Sequence, residues 1–277
     1  MNRTAAISVT TANLDVPGAR LYYEVRGTGP AVLLLGSPMD ADSFAPLADQ
    51  LADDYTVVTM DPRAIHRSSV DDRDQDSTPP MRAGDVARLL THLGLGPAAA
   101  FGSSGGAVTL LALAEARPDL VHTVIAHEPP LDELLEDREH RRAVADAIVT
   151  AYLVEGRAAA WRLFLADANI ELPEPVFAEM FGAPLEGHAA ADEDFFFRHE
   201  MRPTIEFVPD LEALRTGGTR IVVGIGAESA GQVCDRTSTA LARALGIEPV
   251  IFPGDHIGFA EDPEGFAPAL RPFLPVA

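Results

Sequence analysis

Cysteine is nearly absent from this 277-residue chain: Cys234 stands alone, so no intrachain disulfide can form. That fits a reducing compartment, and Cys234 reads as a buried or inert thiol. Long apolar runs are missing too. No stretch approaches the roughly 18 apolar residues of a membrane span, and Met1 to Thr10 lacks the apolar core of a signal peptide, so the expected location is the cytoplasm. Positive charge is scarce: 21 basic against 42 acidic residues give a formal charge of −21, which would repel nucleic acid and anionic membrane surfaces. Arginine and alanine far outnumber lysine, a trait of base composition rather than of mechanism. Internal repeats are lacking. No Cys/His cluster offers a zinc site, and no G-x-G-x-x-G or P-loop opens a helix, so neither metal nor nucleotide cofactor is implied. Asp72-x-Asp74-x-Asp76 has the start of a calcium loop, but Ser77 and Ala83 stand where glycine and glutamate belong; it reads as a solvated acidic loop.

What is present is apolar residue in quantity, 47% of the chain, enough for a full core without staples. Arg20–Val25 reads as a strand closed by a Gly27-Thr28-Gly29-Pro30 turn. Ala31–Leu35 and Tyr55–Met60 are short apolar runs suited to strands buried on both faces of a parallel sheet. Ser43–Asp53 between them has helical composition, with Asp42 or Ser43 as N-cap. Val86, Leu89, Leu90 and Leu93 mark one helix face, stopped by Gly94 and Gly96. Strand 98–101, helix 107–116 and strand 122–126 follow; later come strand 219–225, helix 233–245 and strand 249–252. Alternating strands and helices imply a parallel sheet with right-handed crossovers. In the last segment Pro268 and Pro272 interrupt helical spacing, so a late start or a kink is expected.

From about Leu131 to Pro209 the alternation stops. This segment is helical in composition, most clearly over Glu133–Tyr152, and reads as an inserted cap. The implied organisation is a core of residues 1–130 and 210–277 with a cap of 131–209. The cap carries Trp161 and the phenylalanines 164, 177, 181, 195, 196, 197 and 207. Trp161, Phe177, Phe181 and Phe196 are candidate walls of an apolar substrate pocket; equally, such rings could only glue the cap to the body.

Gly102-Ser103-Ser104-Gly105-Gly106 contains G-x-S-x-G between a short strand and a helix. A nucleophile on so tight a turn needs small residues two before and two after it, so that strand and helix can pass. The turn would aim the first helical N–H groups, Gly105 foremost, at a developing oxyanion. Ser104 is the candidate nucleophile; Ser103 is disfavoured by Phe101 in its flank. A serine needs a base. Of eight histidines, His256 follows the last strand at the same sheet end as the serine turn, with His127 as the rival.

The order of strand, G-x-S-x-G, cap and late Gly254-Asp255-His256 resembles the α/β-hydrolase superfamily, in particular capped serine hydrolases such as esterases and cofactor-free haloperoxidase-like members. Asp61-Pro62-Arg63 with Arg67-Ser68 looks like that family's D-x-R-G-x-G-x-S segment, and Leu35-Gly36-Ser37-Pro38 like its H-G-x-P segment. The resemblance spans nearly the whole chain outside the cap. It implies a mostly parallel eight-stranded sheet with helices on both faces and an inserted helical cap, Ser104 as nucleophile, His256 as base, and the backbone N–H groups of Ser37 and Gly105 as oxyanion hole. Three departures stand out. Leu35 replaces a histidine. Ala64 and His66 replace two glycines, so that loop is expected to be reshaped. Ser229 occupies the usual place of the acid, leaving Glu128, which some branches such as haloalkane dehalogenases use, and Glu228 as the two candidates. The expected activity is cofactor-free cleavage of an ester, lactone or thioester of a small, largely apolar molecule. The alternatives are a cyclase, lyase or acyl transferase on the same fold, or a silent small-molecule-binding member. The expected partner is a small-molecule substrate; the oligomeric state is left open.

Overall fold

The computed structural model describes residues 8–276. The chain opens with an antiparallel hairpin, β1 (Val9–Val16) and β2 (Ala19–Arg26), and continues through β3 (Ala31–Leu35), helix α1 (Ala41–Leu51), β4 (Thr56–Met60) and the two-residue β5 (Ser69–Val70). Then come α2 (Pro79–Leu93), β6 (Ala98–Ser103), α3 (Gly105–Ala116) and β7 (Val121–His127). The sheet has nine strands: eight run in the order β1-β2-β4-β3-β6-β7-β8-β9, and the short β5 pairs with β2 off that path. From β4 onward along this path every pairing is parallel.

Period-two alternation explains the sheet's burial. Leu33 and Leu35 of β3, with Ala98 and Ala100 of β6, face one layer, which Val86, Leu89, Leu110, Leu111 and Leu241 complete. Val32, Leu34, Ala99 and Phe101 face the other, against Phe44, Leu47, Phe259 and Phe266. The cap of helix α1 lies two or three residues before the expected one: Asp40, not Asp42 or Ser43, accepts from the Ser43 backbone N–H at 3.0 Å. A short acidic side chain at the first non-helical position satisfies an orphan donor, and Asp40 alone has the extended backbone for it.

Between β7 and β8 the regular elements among the described residues are all helical: a single turn (Asp132–Leu134), α4 (Arg138–Val154), α5 (Arg157–Ala168), α6 (Glu174–Phe181), α7 (Gly187–Phe195), a π-helical turn (Phe196–Glu200), α8 (Met201–Ile205) and α9 (Leu211–Thr216). They carry a small core of their own around Ala145, Ile148, Ala160, Phe197 and Met201. The chain then returns through β8 (Arg220–Gly226), α10 (Val233–Leu245) and β9 (Val250–Phe252) to α11 (Gly258–Glu261) and α12 (Pro263–Leu270). The late helix does start at a proline, capped by Asp262; Pro268 sits inside it, and Pro272 falls in a closing single turn. Among the described residues no helix is long and apolar enough to cross a membrane.

Candidate active site

Ser104 occupies the junction of β6 and α3 with φ 56° and ψ −127°, a conformation that L-residues rarely adopt. Two glycines make the bend possible. A Cβ on Gly102 would lie 2.7 Å from the Gly106 carbonyl oxygen, and one on Gly106 would lie 2.2 Å from the Leu35 oxygen. Strand and helix therefore cross at a distance only glycine allows. The bend is pinned by the Ser104 N–H, which donates to the His127 oxygen at 3.0 Å. Helix α3 begins directly at Gly105, two residues earlier than periodicity suggested, so its free N–H groups stand beside the hydroxyl.

His256 comes from the loop after β9. Its Nδ1 donates to Glu128 Oε2 at 2.6 Å, while Glu128 Oε1 accepts from the Gly226 N–H at 2.8 Å. Glu128 is fully buried just past β7 with φ 51°. Burial alone would raise its carboxyl, but the hydrogen bond and charge of His256, with lesser help from His127 and Ser229, bring it down to about 2. For His256 burial opposes the charged ring, yet the neighbouring Cys234 sulfur and the Glu128 carboxylate outweigh it, and its pKa lies well above the ordinary histidine value. Glu228, the other candidate acid, is exposed and joins Gly254 only through its backbone. His127 points elsewhere: it is wholly buried, 3.1 Å from the Ser103 hydroxyl, edge-on to Phe252 and Phe266, and burial lowers its pKa to about 4.

Ser104, His256, Ser37 and Gly105 line one cavity of about 90 Å³. Most of its remaining wall is apolar, supplied by Phe164, Phe196, Met201 and Ile205 of the helical segment together with Pro130. Of the four cap aromatics expected there, Phe196 lines it. Trp161, Phe177 and Phe181 do not: Trp161 stacks on Phe181 at 4.8 Å and donates its indole N–H to Glu193 at 2.7 Å, and Phe177 packs on Phe181 at 5.2 Å. An aromatic cluster buries these rings against one another, the gluing role weighed from sequence. Phe164 and Glu200 lie on the cavity wall and were not singled out. Cys234 is half-buried on that same wall, not in the core, and its sulfur, a Glu128 oxygen and a His256 nitrogen lie within 4.8 Å of one another.

The segment after β4 keeps a glycine-like backbone without glycine. Ala64 has φ 66° and His66 φ 49°. The loop is strained instead of reshaped, and the surrounding bonds hold it. Arg63 grips Asp85 with two bonds of 2.7 Å, Arg67 grips Asp61, and the His66 N–H donates to Asp192 of α7 at 3.0 Å. Asp40, Asp61 and His66 also bring possible metal donors within 4.8 Å, but both Asp61 oxygens are already engaged by Arg67.

A serine on a glycine-flanked bend and a histidine held by a buried glutamate thus line one cavity of an α/β fold, partly walled by the helical segment between β7 and β8. A sequence profile described as alpha/beta hydrolase fold matches residues 30–152. An uncharacterized hydrolase, YraK, of Bacillus subtilis is 33% identical over 273 residues, covering 97% of each chain. The chain belongs to the α/β-hydrolase family. A zearalenone hydrolase of Bionectria ochroleuca is 28% identical over 273 residues, covering 93% of this chain and 95% of that one. Among solved structures, the enol-lactonase of Burkholderia xenovorans superposes with a TM-score of 0.69 at 22% identity, covering 95% of this chain and 99% of the other.

Proposed function

We propose that this α/β hydrolase is a cofactor-free serine hydrolase that cleaves a carboxylic ester, lactone or thioester of a small, largely apolar substrate. In this reading Ser104 Oγ attacks the carbonyl carbon while the His256 ring takes its proton. The carbonyl π pair moves onto oxygen, where the N–H groups of Ser37 and Gly105 receive it. Collapse expels the alcohol or thiol, which leaves with the proton from His256, and water attacks the acyl-serine by the reverse route. Glu128 holds the ring tautomer and steadies the imidazolium. Each oxyanion donor is worth about 3 kcal/mol of barrier.

The observation that carries this reading is the shared cavity. It is lined both by the serine on the bend and by the one histidine whose far nitrogen is held by a buried glutamate. The apolar wall supports a largely apolar substrate, and the named activity of the Bionectria relative supports hydrolysis. A fluorophosphonate probe with peptide mapping tests it: Ser104 is expected to be labelled, and Ser104→Ala to abolish both labelling and turnover of a series of p-nitrophenyl esters. Labelling elsewhere, or undiminished turnover in Ser104→Ala, rejects it.

A further inference from the structure

Among the described residues lining the cavity, Glu200 is the single acid, and it is 1% exposed. It closes the π-helical turn of the cap, a local irregularity that aims side chains differently from regular helix. Glu200 Oε1 accepts a hydrogen bond from the Ser37 hydroxyl. Glu200 Oε2 has no partner. The nearest cation does not supply one: Arg82 directs its donors to Thr109 at 2.9 Å, Thr204 at 2.9 Å and the Ser77 carbonyl at 2.5 Å.

Burial raises the Glu200 carboxyl, and the Arg82 charge and the Ser37 bond only partly counter it. Burial in this place thus works against the charged form. With Oε1 accepting from Ser37, a proton on this carboxyl would belong on Oε2, the oxygen left without a partner, and would there be a buried donor lacking an acceptor. Such a donor costs free energy until something accepts from it.

The location says which part of a substrate could do so. Ser37 is the residue whose backbone N–H belongs to the oxyanion pair in the reading above. A Cβ built on Gly105 would stand 3.1 Å from Ser37 Cβ and 3.3 Å from Thr204 Cγ2, and the Thr204 hydroxyl donates to the Glu200 carbonyl at 2.7 Å. Glu200 and Thr204 thus wall the oxyanion side of the cavity. We propose that Glu200, protonated, is a specificity-determining residue that donates a hydrogen bond from its unpartnered Oε2 to an ether, carbonyl or hydroxyl oxygen on the acyl part of the substrate, close to the scissile carbonyl. The preferred substrates are accordingly oxygen-substituted acyl compounds with otherwise apolar bodies. Phe164, Phe196, Met201 and Ile205 offer no competing polar partner, so a hydrocarbon acyl group leaves the donor unpaired and is discriminated against.

This inference rests on Ser104 being the nucleophile. The test compares kcat/KM for two nearly isosteric esters, p-nitrophenyl methoxyacetate and p-nitrophenyl butanoate, in wild type, Glu200→Gln and Glu200→Leu. Glutamine retains both an acceptor for Ser37 and an N–H donor, so it is expected to keep the wild-type ratio. Leucine is expected to shift the ratio about tenfold or more against methoxyacetate. The wild-type preference is expected to fade as pH rises through the raised Glu200 pKa, while that of Glu200→Gln stays flat; this holds even if Glu200→Leu fails to fold. Both esters falling in parallel in Glu200→Leu overturns the proposal, as does Glu200→Gln losing the preference across pH. Fluorophosphonate labelling separates the two levels. Labelled Ser104 with an unchanged ratio rejects the role of Glu200 alone, whereas an unlabelled wild type rejects the nucleophile and this inference with it.

Discussion

The Nδ1 of His256 donates to Glu128 Oε2 across 2.6 Å, joining the loop after β9 to the end of β7. The second Glu128 oxygen is taken by the Gly226 N–H at 2.8 Å, so the carboxylate is fixed from two strands at once. Glu128→Ala is expected to lower kcat by about 10²- to 10⁴-fold, because the imidazole loses both its tautomer and its counter-charge. Glu228 is exposed and joins Gly254 through its backbone N–H, and Glu228→Gln is expected to change kcat less than about twofold. Steady-state kinetics of the two variants check this, and the reverse ranking would refute the assignment of the acid.

The same pair sets a pH dependence. Base catalysis needs neutral imidazole, and acid protonates it, so kcat/KM falls as pH falls through the His256 pKa. Burial opposes the charged ring, but Cys234 and Glu128 outweigh it and hold that pKa well above the ordinary histidine value, so the acid limb is expected at higher pH than a free imidazole would give. Glu128→Gln and Cys234→Ser should each move the limb to lower pH. Stability carries a separate signature. The Glu128 carboxyl drops from 4.5 to about 2 on folding, so its contribution is complete above about 4.5 and disappears as pH falls toward 2. Denaturant titrations between those pH values should show a shallower acid loss in Glu128→Gln than in wild type.

Much of this was legible in the sequence, for identifiable reasons. Short, wholly apolar runs mark strands buried on both faces, and helical spacing marks helices, so strand Ala31–Leu35 and helix Val233–Leu245 fall where the sequence puts them. The serine bend was readable because Gly102 and Gly106 answer a steric demand that few other turns make. The choice between Glu128 and Glu228 was not, since both follow adjacent strands and only the outward turn of Glu228 separates them. The cap was harder. Composition tells that Trp161, Phe177 and Phe181 are buried, but not whether the partner is a substrate or another ring. Glu200 was missed because one acid in a charged helical stretch stands out little. A helical projection would have shown it sharing an apolar face with Phe197, Met201 and Thr204, all buried.

Ala64 and His66 adopt left-handed backbone in the loop after β4, with φ 66° and 49°. A Cβ in this region costs about 1–2 kcal/mol per residue, and the loop bonds to Asp61, Asp85 and Asp192 hold it in place. Ala64→Gly relieves the clash, partly offset by greater freedom in the unfolded chain, and is expected to stabilise the fold by up to about 1 kcal/mol. His66→Gly should gain less, because it also removes the 3.0 Å contact to Asp40. Chemical denaturation compares them; a destabilised Ala64→Gly would mean the Ala64 methyl packs favourably enough in its buried site to outweigh the strain.

Cys234 turns the cavity into a site that thiol reagents can report on. The sulfur is half-buried, lies on the wall shared by Ser104 and His256, and sits close enough to the ring to influence its charge. An acetamide group added there would occupy a cavity of about 90 Å³ and intrude beside the His256 ring. Iodoacetamide is therefore expected to remove ester turnover in step with modification of this single thiol, and Cys234→Ser to resist it. Because the serine and the thiol open onto one space, prior fluorophosphonate labelling of Ser104 should slow alkylation of Cys234. Mass spectrometry of the intact chain follows both adducts. A fully alkylated protein that still turns over ester would place the reacting carbonyl away from Cys234, and with it away from the cavity that unites Ser104 and His256.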